Sequence, residues 1–123
     1  MGTITEIAPV AGRILIGLFY LITAVGLIKD FKPVTGMMAD KGIPAQPPLL
    51  AITILIWIIG GGALLFNYAV VKGALLLMAL TIIVTPFMHN FWKAPPELFP
   101  SELQHFLKNV AILGGLLAVI ANT

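Results

Sequence analysis

Apolar positions in this chain gather into four long stretches, at about 8–28, 48–67, 70–88 and 102–121, separated by short segments where Lys, Asp, Gly and Pro concentrate. Each stretch is close to the roughly 20 residues a helix needs to cross the hydrocarbon of a bilayer. The pattern predicts an all-α fold, a four-transmembrane-helix bundle forming one membrane domain over residues 1–123. The first stretch lacks a short basic start and a small-residue cleavage site, and three more follow it, so it reads as a retained helix rather than a signal peptide.

The connections sharpen this picture. Only Asn67, Tyr68 and Ala69 separate the second and third stretches, which predicts a tight antiparallel hairpin. Between the first and second, Pro33 suits a first helical position and Gly42 a C-terminal cap, so residues 33–41 are expected to form a short interfacial helix. Phe31, Val34, Met37 and Met38 are expected against lipid, with Lys32, Asp40 and Lys41 toward water. Pro47 and Pro48 open the second span. The third connection, with Pro95, Pro96 and Pro100, is expected to run extended until Ser101 and Gln104 supply a capping-box pattern, with Phe91 and Trp92 as interface anchors.

Composition supports lipid as the solvent: the chain is 59% hydrophobic and 10% charged, against about 25% charged in an ordinary soluble domain. Its mean hydropathy is +1.05. The formal charge of +2 is spread without a basic run, which argues against nucleic acid as a partner. There is no Cys, so disulfides, thiolate catalysis and iron–sulfur ligation are excluded. Four spans place both termini and the short hairpin on one side. Lys29, Lys32, Lys41 and Lys93 then lie on the opposite side, against Arg13 and Lys72, and the positive-inside bias predicts that both termini face outward.

Ionisable groups within apolar segments are the natural site candidates, since each costs at least ~2.5 kcal/mol at a bilayer centre unless it pairs or snorkels. Arg13 lies early in the first span, where snorkelling is the ordinary expectation, although Gly17 and Ala24 share roughly its face. In the fourth span Glu102, His105, Lys108 and Asn109 recur at helical spacing, and Ala111 and Gly115 continue that face, so Lys108 is expected to point into the bundle. Thr81, Thr85 and His89 form a matching stripe on the third span, where Pro86 leaves the Ile82 carbonyl in need of a partner. Antiparallel threading carries both stripes to one membrane face. His89, Asn90, Trp92, His105, Lys108, Asn109 and Lys29 thus form the candidate ligand-binding cluster, suited to an anionic head group or a quinone carbonyl. The alternative is polar glue between helices, with Glu102 paired to a neighbouring cation.

Other chemistry fits poorly. Two histidines without Cys make a weak metal set, no metal or other cofactor is expected beyond a bound quinone or lipid, and Gly60-Gly61-Gly62 lies inside an apolar span without the Lys-Ser or Lys-Thr of a phosphate loop. No nucleophile, base and orienting acid can be assembled, so no catalytic residue is assigned.

Taken in order, Arg13, Lys29, Lys41-Gly42-Ile43-Pro44, Gly60-Gly61, His89-Asn90-Phe91-Trp92, Lys108-Asn109 and Gly114-Gly115 resemble the DoxX family over nearly the whole chain. The chain departs from it at Trp57-Ile58-Ile59, where members commonly carry a Glu before the glycine pair. The resemblance implies a small prokaryotic inner-membrane protein acting as an accessory or structural subunit of a quinone-linked oxidoreductase, with other membrane subunits or further copies of itself as partners. A small-solute transporter or channel formed by oligomerisation, a quinone- or lipid-binding protein, and a quinone-reactive enzyme are the alternatives.

Overall fold

The computed structural model describes residues 3–123. Those residues form five α-helices and one 3-10 turn: α1 (Ile4–Lys29), α2 (Phe31–Asp40), α3 (Gln46–Leu65), α4 (Val70–Met88), the turn Phe91–Lys93, and α5 (Phe99–Ala121). α1, α3, α4 and α5 are each long and apolar enough to cross a membrane. They close a ring in which α1 packs on α3, α3 on α4, α4 on α5, and α5 back on α1, with α2 lying against α3 and the end of α1.

Glycines set how closely the ring closes. A Cβ at Gly17 of α1 would stand 2.8 Å from the Gly61 carbonyl oxygen of α3, and one at Gly61 would stand 3.0 Å from the Gly17 oxygen. The two backbones therefore touch, a separation that no larger residue permits. A Cβ at Gly60 would meet the Leu77 side chain of α4 at 2.5 Å. Inside the ring lie Tyr20, Ala24, Trp57, Leu64, Ala74, Leu77 and Leu116. Outside it, Leu15, Ile22, Val25, Leu55, Ile83, Leu107 and Leu117 are each more than half exposed, so every long helix carries an apolar outer face.

The short elements depart from expectation in instructive ways. α2 begins at Phe31 and not at Pro33. Proline is tolerated at its third position because the first-turn amides have no intrahelical acceptor. Gly42 ends the helix at φ +75°, with its own amide bonded to the Ala39 carbonyl and that of Ile43 to the Met38 carbonyl, the paired bonds of a Schellman cap. The face expected against lipid turns inward: Met38 is buried, Phe31 and Val34 pack against the core, and only Met37 of the four is exposed. α5 starts at Phe99, with Pro100 in its first turn and no side-chain cap, so the Ser101–Gln104 capping box is not used. The connection before it is a 3-10 turn followed by a second turn, not an extended strand. Phe91 within that connection packs edge-on against Trp92, Phe99 and Phe106, which explains why the chain folds back there.

Candidate functional site

Three chain segments meet at the end of the bundle where α4 stops and α5 starts. The Schellman cap places Lys41 at the end of α2, and its Nζ donates to Glu102 Oε2 of α5 at 2.9 Å and to Asn90 Oδ1 at 3.0 Å. Asn90 follows His89, the residue that closes α4. His89 Nδ1 lies 3.3 Å from the other Glu102 oxygen, Oε1, to which it donates in the tautomer protonated there. His105, one turn along α5 from Glu102, stacks on His89 with ring centroids 5.0 Å apart. Glu102 is the hub, its two oxygens divided between an ammonium and an imidazole. With side-chain exposures of 20% for Lys41 and 17% for Glu102, the pair is largely shielded from solvent.

A second set of polar groups continues from this cluster into the bundle. Asn109 Nδ2 of α5 donates to Thr85 Oγ1 at 3.0 Å, and the Thr85 hydroxyl donates to the Thr81 carbonyl at 2.6 Å. The Thr85 hydroxyl thus serves its own helix at Thr81 rather than the Ile82 carbonyl freed by Pro86. The Thr81 hydroxyl meets Tyr20 Oη of α1 at 2.8 Å, and the Tyr20 ring lies 4.8 Å from the Trp57 ring of α3. Among the described residues every buried side-chain nitrogen and oxygen has a hydrogen-bond partner. The few polar groups in this otherwise apolar interior are paired, the condition under which buried polar groups specify one packing instead of weakening it.

Of the residues singled out from the sequence, His89, Asn90 and His105 come together, and Asn109 joins the chain beneath them. The others lie elsewhere. Lys108 is exposed and sets its Nζ 5.4 Å from the centre of the Phe19 ring, so it lies on the outer seam between α1 and α5 rather than inside. Trp92 belongs to the aromatic packing around Phe91 and Phe106. Lys29 is exposed at the end of α1. Arg13 lies at the opposite end of the bundle, where its guanidinium donates to the carbonyl of Leu64 in the last turn of α3. Lys41 and Tyr20 are the residues the sequence did not nominate. The helix-ending glycine after Lys41 is a signal for its position but not for its partner. Among the described residues no group of three or more His, Asp or Glu side chains is disposed to hold a metal ion.

The family described as HR-like lesion-inducing matches residues 43–121, more than half of the chain. The chain belongs to the HR-like lesion-inducing family. The match runs from just after the Gly42 cap to the end of α5, so it takes in α3, α4 and α5 with His89, Asn90, Glu102 and His105, and leaves α1 and α2 outside. No curated protein and no solved structure matches the chain. Membership of the HR-like lesion-inducing family corrects the DoxX resemblance. The quinone-linked oxidoreductase subunit falls with it, and the prokaryotic inner membrane had no other support. Gly60, Gly61 and Gly115 are accounted for by close helix packing, against Leu77, Gly17 and Ile16, and carry no family signature of their own.

Proposed function

We propose that this member of the HR-like lesion-inducing family is an integral membrane protein that presents a docked amphipathic helix, α2, at one membrane surface, held there by the Lys41–Glu102–His89 cluster. One observation carries the reading. The bundle is apolar outside as well as inside: Leu, Ile and Val cover the outer faces of all four long helices, while the hydroxyls of Tyr20, Thr81 and Thr85 and the Asn109 amide are bonded between helices. Water would penalise those outer faces, and a bilayer would not.

The cluster supports an interaction role at the surface. It binds a short helix by charge and hydrogen bonds at Lys41, the residue that caps it, while the apolar side of the helix, Phe31, Val34 and Met38, is covered by the bundle. Release would offer that side to lipid or to a membrane partner. The family description names an outcome and not a reaction, in keeping with a protein that acts on a membrane rather than on a metabolite. Alkaline carbonate extraction tests the foundation. The full chain should stay in the membrane pellet and leave it only with detergent; release by carbonate alone would remove the proposal.

A further inference from the structure

We propose that the end of the bundle opposite the Lys41–Glu102 cluster carries a binding site for a phosphate-class anion, built on Arg13. A recess of about 240 Å³ opens there between α1, the α3–α4 turn and the end of α5, and Val10, Arg13, Asn67, Val119 and Asn122 are among its walls. At about 30 Å³ per water, this is room for some eight waters or one tetrahedral oxyanion with part of its substituent.

The donor set is cationic and under-used. Guanidinium offers five N–H groups in a planar fork. Arg13 is half-buried and spends one nitrogen, Nη1, on the Leu64 carbonyl. That carbonyl is one of the last four of α3, which have no intrahelical donor, so the bond fixes the guanidinium against the helix end. Although Thr123 also lines the recess, Arg13 makes no ion pair among the described residues. Both ion pairs there involve Glu102 at the far end, and Glu6, the acid nearest along α1, is exposed and two turns away. Two asparagines share the lining of the recess with Arg13. Asn67 is held in the left-handed region at φ +57° in the turn, and Asn122 donates one of its amide hydrogens to the Ala118 carbonyl, leaving the other. A cation without an ion-pair partner beside apolar walls at Pro9, Val10 and Val119 is costly, and a bound oxyanion taking two guanidinium N–H groups lowers that cost.

The same chemistry has two sources, a free phosphate or the headgroup of an anionic phospholipid, and the test separates them. The full chain in neutral detergent micelles is titrated calorimetrically with inorganic phosphate, and by native mass spectrometry with phosphatidylglycerol against phosphatidylcholine. The phosphate titration does not depend on the membrane reading above. At least one anionic probe should bind the wild type, phosphate identifying a soluble ligand and phosphatidylglycerol alone a headgroup. Arg13→Gln should weaken that probe about tenfold or more, the scale of one charge-assisted hydrogen bond. Val10→Trp, which fills the recess and leaves Arg13 in place, should do the same with the melting temperature unchanged. Lys72→Gln, which removes a cation at the same end but outside the recess, should bind as wild type. Failure of both probes to bind the wild type would overturn the site. So would undiminished binding by Val10→Trp, or a loss in Lys72→Gln equal to that in Arg13→Gln.

Discussion

Tyr20 and Thr81 join α1 to α4 across the interior through a single hydroxyl pair at 2.8 Å, both side chains almost fully buried. The two ends of this bond are not equivalent. A threonine in a helix can turn its hydroxyl to a carbonyl of its own preceding turn, as Thr85 already does, whereas the Tyr20 phenol beside Trp57 has no such local recourse. Tyr20→Phe should therefore cost about 0.6 kcal/mol, the usual worth of a polar contact inside a membrane bundle. Thr81→Val strands the phenol and should cost about 1–3 kcal/mol. Unfolding of the two variants in mixed micelles tests the order, and a larger loss for Tyr20→Phe would refute the argument. The sequence showed half of this contact. Thr81, Thr85 and His89 stand four apart, and that spacing alone predicts a polar stripe on α4. Tyr20 sits in an apolar run where Thr23 is the one polar residue within a turn of it, too little to mark a stripe, and the rotation that brings it inward is set by the Gly17–Gly61 contact, three residues away on the same helix.

At the scale of elements, the four long helices were legible because length and apolarity alone define them, while α2 was legible only as a helix. Its capping glycine was readable, but its orientation was not. Phe31, Val34 and Met38 would suit lipid or core equally, and Lys41 meets an acid 61 positions away. The same distance explains why the sequence alone places Lys41 in water and leaves the cation paired with Glu102 without a name. Two forces now hold α2, apolar contact along its side and the ion pair at its end, and they can be separated. Glu102→Gln should raise amide hydrogen exchange across residues 31–40 several-fold and leave α3 protected, since a partly shielded pair of this kind is worth roughly 1 kcal/mol, or about fivefold in an opening equilibrium. Lys41→Met should do the same. The double variant should be no worse than either single one, because both remove the same contact. Unchanged exchange in both single variants would mean that the apolar side alone holds the helix.

For the whole molecule, the two ends differ in charge and in kind, and the difference predicts an orientation. Lys29, Lys32, Lys41 and Lys93 lie at the cluster end, with Arg13 and Lys72 at the other. The pairing of Lys41 with Glu102 does not cancel its vote, since orientation follows the number of Lys and Arg near span ends and acids contribute little. The cluster end, with α2, should accordingly face the cytoplasm, and the hairpin end with the Arg13 recess should face outward. The absence of Cys makes the test direct. In intact cells an impermeant maleimide should label Thr3→Cys, and should label Thr35→Cys, on α2, only after permeabilisation. The reverse pattern would invert the molecule, and with it the membrane role of each end. Anionic lipid is concentrated in the cytoplasmic leaflet. In the predicted orientation the docked helix, rather than the Arg13 recess, lies on the leaflet whose surface charge attracts Lys29, Lys32 and Lys93. The recess would then meet few anionic headgroups, which tips the choice between its two ligand sources toward a soluble phosphate.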